Sequence, residues 1–480
     1  MDNLQNIIGL VIAVLYWLLT ATVTIRVVIF RRPVSGTLAW LLVIYILPLV
    51  GAILYLLLGE LSMGRKRAAR AQAMIEPYLD NLNSRFCNDD IPLPGGHLAY
   101  AVHQILAARM GLGTLGYSNM QVLASPDTIF SSLISDIQSA TESIRIETYI
   151  WHLGGRADEV ARQLIEASQR GVKVSLLIDH AGSRQFFRSK WRNQMIKAGI
   201  EVVPAMPVKL LRALVQRIDL RMHRKVLIID DRIAYTGSMN MADPLLFKRK
   251  SKSAPWIDVM LRLDGQAATG LAKVFAWDWE VETGQRNLPD YYPAPDACNS
   301  WLSIIPSGPG VGEDMIGQAV LSSIYRANRS IVISTPYFVP SEAIFDALCQ
   351  AARRGVAVTV LLPKRVDSLM VHWASRSYFE LLLEAGADIK QFDGGLLHTK
   401  AMLMDDELAL VGSLNLDIRS LQLNFELTVA LFGRESCAGI KSLLESYAAA
   451  SQSVERTVWL QRGRPARMLE RLMFFMSPLL

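Results

Sequence analysis

A short polar pattern occurs twice in this chain, as His223-Arg224-Lys225 and His398-Thr399-Lys400, and each copy reaches an aspartate after four intervening residues, Asp230 and Asp405. Each also closes on the same kind of tail, Gly237-Ser238-Met239-Asn240 and Gly412-Ser413-Leu414-Asn415, with the His-to-Asn spacing preserved while the residues between differ. Apolar runs of strand length, Val226–Ile229 and Ala401–Met404, separate the polar positions. A single His-x-Lys at a strand edge is explained as a solvated polar pair. Two copies with matching tails are not, and they impose two like structural units whose polar residues combine in one site.

The flanking sequence repeats in the same order. Ser143-Ile144-Arg145-Ile146 answers Ser330-Ile331-Val332-Ile333, and Arg170-Gly171-Val172 answers Arg354-Gly355-Val356. Each half reads strand, helix, strand, helix, strand and then the His strand, which predicts an α/β fold with largely buried sheets covered by helices. A chain of 480 residues is long enough for two such halves and more. The expected division is a membrane hairpin over 1–62, a linker over 63–115, a first half over 116–295 and a second over 296–480, ending in a basic amphipathic tail.

These residue types suit transfer of a phosphoryl group. A neutral imidazole attacks phosphorus and holds the group covalently, splitting one hard displacement into two easier ones. A second imidazole protonates the leaving alcohol and then deprotonates the incoming one. Lys225 and Lys400 offer charge to the phosphate oxygens, and the amides of Asn240 and Asn415 offer further donors. Such chemistry needs neither metal nor cofactor, and Cys87, Cys298, Cys349 and Cys437 lack zinc-ligand spacing. The pattern alone leaves open which histidine attacks. Asp230 and Asp405 lie an odd number of residues from the lysines, so on a regular strand they face away, which favours a structural role.

The doubled His-x-Lys pattern with its Gly-Ser-x-Asn tail resembles the phospholipase D superfamily. Within it, Arg31-Arg32-Pro33-Val34-Ser35-Gly36, leading into Ala39-Trp40-Leu41 and Pro48-Leu49-Val50-Gly51, resembles the membrane-anchored bacterial cardiolipin synthases, over essentially the whole chain. That resemblance implies two phospholipase D-like α/β halves sharing one active site behind an N-terminal two-helix transmembrane hairpin. It implies transfer of a phosphatidyl group from one phosphatidylglycerol to another, with release of glycerol through a phosphohistidine. His223 would then be the nucleophile and His398 the acid and base, with Asp230 and Asp405 counted in the catalytic motif. Orientation of the histidines would fall to a later acid in each half, Asp258 and Glu426, each inside an apolar run where an unpaired carboxylate is costly. The implied partners are phosphatidylglycerol, other anionic phospholipids and the membrane, with an oligomer allowed and no nucleic acid; the implied location is the bacterial inner membrane, multi-pass.

The runs 7–25 and 36–58 are each long and apolar enough to cross a bilayer. A cleaved signal peptide fits poorly, because Met1-Asp2-Asn3 carries no positive charge. Orientation stays open, since Arg26, Arg31 and Arg32 precede the second run while Arg65, Lys66, Arg67 and Arg70 follow it. An insertion at 207–217 and the tail with Arg462, Arg464, Arg467 and Arg471 mix cations with Leu and Phe, as a headgroup-layer helix does and as an ordinary packed surface helix also does. The formal charge of +6 suits an anionic lipid surface and equally a nuclease. The alternatives are therefore a hydrolase of the phospholipase D type, a membrane-tethered nuclease and a non-catalytic scaffold.

Overall fold

The structure, a computed structural model, describes residues 2–29, 34–60, 63–74, 96–110, 113–207, 217, 219–251, 253–289, 300–309 and 314–475. Arg31, Arg32, Pro33, Cys87, Cys298 and positions 208–216 of the insertion lie outside them. The chain divides into two compact units, Met1–Ala68 with Val208–Leu220, and Ala69–Pro207 with Arg221–Leu480.

In the first unit Asp2–Ile29 is one helix. Its Leu4–Ile29 stretch is the one helix among the described residues long and apolar enough to cross a membrane. The second apolar run departs from the expected unbroken span. It forms the helices Val34–Ile46 and Pro48–Leu54, followed by a π turn at Tyr55–Gly59. The break falls at Leu47, because Pro48 has no N–H to donate and its ring crowds the preceding turn, while it suits the first position of a new helix. Val23, Val27, Ile44, Ala52 and Tyr55 pack together across these helices. Gly51 is required where the chain passes against the Val43 carbonyl, since a Cβ there would collide with backbone. Arg26 grips the Glu60 carboxylate with two guanidinium nitrogens.

The second unit holds both halves of the repeat. Among its described residues the first half forms a seven-stranded sheet in the order Met120–Leu123, Met260–Asp264, Ile233–Gly237, Val226–Ile229, Ser143–Thr148, Lys173–Asp179, Glu201–Ala205. Ser143–Thr148, Lys173–Asp179 and Glu201–Ala205 run parallel, and the rest pair antiparallel. Helix Arg156–Gln169 covers it with Ala157, Val160, Ala161, Leu164 and Ala167, the spacing of one helical face. The second half repeats the plan in a nine-stranded sheet whose Ser330–Ser334, Ala357–Pro363 and Asp388–Phe392 strands are the parallel set. Helix Glu342–Arg353 packs there through Ile344, Phe345, Ala347, Leu348 and Ala351.

Within the expected linker over 63–115, of which 75–95 and 111–112 lie outside the described residues, one stretch is packed structure. Gly96–Met110 is a helix, and its Leu98, Val102 and Leu106, spaced four apart on one face, are buried in the core of the second half. Leu115–Tyr117 then pairs antiparallel with Ser300–Ser307, so the segment before the first half adds a strand to the second half's sheet. Helix Gln266–Thr283 is buried along nearly its whole length, and Gly270 admits Leu115 and Ile304 against its backbone.

Candidate active site

Each His strand begins a hairpin, Val226–Ile229 with Ile233–Gly237 and Ala401–Met404 with Leu408–Gly412. The turns need positive φ at two successive residues, as a type I′ turn does. Aspartate tolerates this region better than most side chains, and Asp230, Asp231, Asp405 and Asp406 occupy it at φ 51°, 54°, 54° and 58°. The Asp230 carboxylate accepts the backbone N–H groups of Thr141, Glu142 and Ser143 at 2.9, 2.8 and 2.8 Å. Asp405 accepts those of Asn328, Arg329 and Ser330 at 2.8, 2.7 and 2.8 Å. These hydrogen bonds hold the Asp230 carboxyl below the usual carboxylate range, against the opposing effect of its partial burial. Both aspartates lie at the end of the strand away from the histidines, tying the hairpin to the start of the first parallel strand. Their geometry is that of turn anchors.

At the opposite end the two halves exchange short stretches of backbone. Met222 bridges Phe425, and the His223 N–H donates to the Phe425 carbonyl at 2.9 Å. Leu396–Leu397 pairs with Trp256–Ile257, and the His398 N–H donates to the Ile257 carbonyl at 2.8 Å. Each histidine is thereby set against the residue that follows in the other half. His223 Nδ1 lies 2.8 Å from Glu426 Oε2, and His398 Nδ1 lies 2.6 Å from Asp258 Oδ1. A carboxylate only accepts, so each Nδ1 carries the proton and each Nε2 keeps its lone pair. Neither Nε2 makes a hydrogen bond among the described residues. The tail serines hold the acids in turn. Ser238 Oγ donates to Asp258 at 2.6 Å and accepts the Val259 N–H at 3.0 Å, while Ser413 Oγ donates to Glu426 at 2.5 Å and accepts the Leu427 N–H at 2.9 Å.

The electrostatics follow from burial opposed by pairing. Burial lowers the pKa of each histidine to about 4, outweighing the carboxylate beside it, so both rings are neutral at pH 7. Burial alone would raise Asp258, yet His398, Lys400 and Ser238 bring it down to about 2. Glu426 is likewise held low, by His223, Lys225 and Ser413 against its burial. Burial depresses Lys225 to about 8 and Lys400 well below its ordinary value, each partly restored by the acids nearby.

Lys225 Nζ donates to the His223 carbonyl at 2.6 Å and Lys400 Nζ to the His398 carbonyl at 2.7 Å, leaving the other N–H bonds of each for a ligand. Asn240 Oδ1 accepts the Ile150 N–H at 3.3 Å, and its NH2 makes no hydrogen bond among the described residues. Asn415 Nδ2 contacts Ser420 Oγ at 3.2 Å while its Oδ1 is buried without a hydrogen-bond partner among the described residues. Exchanging the two amide atoms lets Ser420 donate to Oδ1 and frees the NH2 as a donor.

Several neighbours escaped sequence reasoning. Tyr149 sits edge-on to His223 at 4.9 Å, and Trp256 lies over His398 at 4.2 Å. Asn424 Nδ2 donates to Glu426 Oε1 at 3.1 Å, and Asp179 Oδ2 accepts the Met222 N–H at 3.0 Å. Arg224, the middle residue of the first pattern, is fully buried and paired with Asp278. The serines were visible as part of the repeated tail. The aromatics had no signal beyond lying in strand-like runs.

The family model described as "Cardiolipin synthase, PLD-like domain" matches residues 133–279 and 320–447, one stretch for each copy of the pattern. That described as "Phospholipase_D-nuclease N-terminal" matches residues 10–60. Cardiolipin synthase A of Cronobacter sakazakii is 45% identical over 486 residues, covering 100% of both chains. Cardiolipin synthase A of Escherichia fergusonii is 44% identical over 488 residues, again covering 100% of both. A crystal structure of phosphatidylserine synthase from Haemophilus influenzae shares the fold at TM-score 0.57 and 14% identity, covering 85% of this chain and 100% of its own. A domain match falling on each half, together with identity sustained from end to end, makes the chain a member of the cardiolipin synthase family of phospholipase D-like proteins.

Proposed function

We propose that the protein transfers a phosphatidyl group from one phosphatidylglycerol to the terminal hydroxyl of another, releasing glycerol. The observation that carries this reading is the crossed pair of imidazoles, each neutral, each with Nδ1 bound to a buried carboxylate and Nε2 without a hydrogen-bond partner among the described residues. A phosphodiester anion placed between them favours uptake of one proton, because the added negative charge opposes the effect of burial. His223 Nε2 attacks phosphorus while protonated His398 gives its Nε2 proton to the departing glycerol oxygen. The second lipid's hydroxyl then returns a proton to His398 as its oxygen displaces His223 from phosphorus. Lys225, Lys400 and the amides of Asn240 and Asn415 face the equatorial oxygens where charge grows. One phosphodiester replaces another, so the exchange is nearly balanced and reversible.

The apolar runs support a membrane-anchored, multi-pass protein of the bacterial inner membrane. In this reading the second run, although broken at Pro48, crosses beside the first as a hairpin. Buried packing of Val23 and Val27 against Ile44, Ala52 and Tyr55 favours a pair over two separate helices.

The test is incubation of the purified full-length protein in detergent with headgroup-labelled phosphatidylglycerol in EDTA, for wild type and His223→Ala. Cardiolipin and free glycerol, both lost in the variant, are expected. Phosphatidic acid in place of cardiolipin would make water the acceptor, and no turnover of any lipid would overturn the reading.

A further inference from the structure

We propose that the rim of the active site docks onto the surface of a bilayer carrying anionic phospholipid, through one turn from each half. In the first half, Leu245 is 71% exposed and Leu246 is 40% exposed. The turn that carries them is held firmly. Asp243 Oδ1 accepts the Leu245 N–H at 2.9 Å, and Asp243 Oδ2 accepts the Arg156 N–H at 3.0 Å. In the second half, Leu369 is 73% exposed and Met370 is 42% exposed, in the first turn of helix Leu369–Arg376. Lys248 joins the two turns, since its Nζ donates to Asp367 Oδ2 at 2.6 Å.

This rim leads into the site. Phe247 meets Trp256 edge-on at 4.9 Å, and Trp256 lies over His398 at 4.2 Å. A wall of aromatic rings therefore runs from the exposed leucines to a reacting imidazole. Four large apolar side chains held outward are costly in water, and an apolar patch rimmed by polar groups marks a surface that is covered in use. The charge names the cover: beside Lys248, which is paired with Asp367, Arg249 and Lys250 are exposed next to the leucines, as in segments that seat apolar residues below anionic headgroups. The inference rests on the lipid substrate proposed above.

The full-length chain with its native cysteines replaced, reconstituted in nanodiscs containing phosphatidylglycerol, provides the test. Leu245→Cys and Leu369→Cys each carry the fluorophore NBD, with Glu445→Cys, an exposed position on helix Arg434–Ala449, as reference. Lipids bearing a doxyl quencher near the headgroup are expected to quench both rim labels at least twofold more than the reference. Equal quenching at all three sites would overturn the proposal, as would self-quenching between labelled copies in place of lipid quenching, which would assign the face to a second chain. The readout needs no turnover, so failure of docking and absence of cardiolipin formation are separately visible. Far-ultraviolet circular dichroism of each labelled chain shows whether it is folded; where a leucine variant fails, a chain keeping both leucines and labelled at Lys250→Cys is expected to be quenched above the reference, and to lose that excess when Leu245→Ser and Leu369→Ser are added, with no such difference overturning the proposal.

Discussion

Glu426 accepts the Nδ1 proton of His223 at 2.8 Å although the two residues belong to opposite halves of the repeat. Asp258 and His398 repeat the relationship in reverse at 2.6 Å. Each imidazole is set by the other half's strand, so neither half alone holds a prepared histidine.

Replacing Glu426 by Gln keeps the shape and changes the proton. A Gln NH2 facing Nδ1 makes that nitrogen an acceptor and moves the ring proton to Nε2, where the lone pair is needed. By analogy with the loss seen when a triad aspartate becomes an amide, turnover is expected to fall by about 10²- to 10⁴-fold. Steady-state cardiolipin formation checks this, alongside an unfolding midpoint within a few degrees of wild type. Activity near wild type would show that the crossed hydrogen bond does not set the tautomer.

Asp230→Ala and Asp405→Ala should damage stability rather than chemistry. Each removes a carboxylate that accepts three backbone N–H groups and leaves alanine at positive φ. The expected cost is about 2–4 kcal/mol in each case, read by denaturant or thermal unfolding in detergent. Turnover per folded molecule should stay within about threefold. A hundredfold loss in a folded variant would return these aspartates to the chemistry.

Strand parity made the turn role of Asp230 legible, because a residue an odd step from Lys225 faces the other way. The repeat likewise exposed the order of elements in both sheets. The crossing was not legible, since nothing local to Glu426 says which histidine it meets; that depends on the long-range pairing of Met222 with Phe425. The tail serines were visible, but their role appears only when Ser413 is seen between Glu426 and the Leu427 N–H. The place of the helix at 96–110 in the second half's core was not legible, because a single short helix gives no clue to the core it joins. The second apolar run misled because composition outweighed Pro48.

The histidines make stability depend on pH with a definite sign. Their folded pKa, about 4, lies below the ordinary 6.5, so the unfolded chain binds more protons between those values. Stability is therefore expected to fall as pH drops from 6.5 towards 4, with no further loss from these two groups below that. Asp258, at about 2, contributes its share down to the ordinary carboxylate range and loses it only below. Unfolding midpoints of wild type and a His223→Asn, His398→Asn variant between pH 7.5 and 4.5 decide the matter. The wild-type advantage should shrink steadily with falling pH, and a constant gap would mean the rings titrate normally in the fold.

The residue between His and Lys differs between the copies for a reason the fold supplies. Arg224 points to the face opposite His223, where its guanidinium pairs with Asp278 on helix Gln266–Thr283 and donates to the carbonyls of Glu426 and Ser307 at 3.1 and 3.0 Å. In the second copy Thr399 takes that place and meets Tyr447 through hydroxyls 3.1 Å apart. One half secures its His strand to a helix by a buried ion pair and the other by a neutral contact. Glu147 stands beside the ion pair, and burial first, then Asp278, pushes its carboxyl well above the ordinary range. Asp278→Leu strands a buried guanidinium and should cost about 3–5 kcal/mol. Removing both charges with Arg224→Met, Asp278→Leu should recover most of that loss, because neither ion is then left unpaired. Denaturant unfolding of the two single variants and the double gives the coupling, and additive losses would mean that the pair carries no mutual stabilisation.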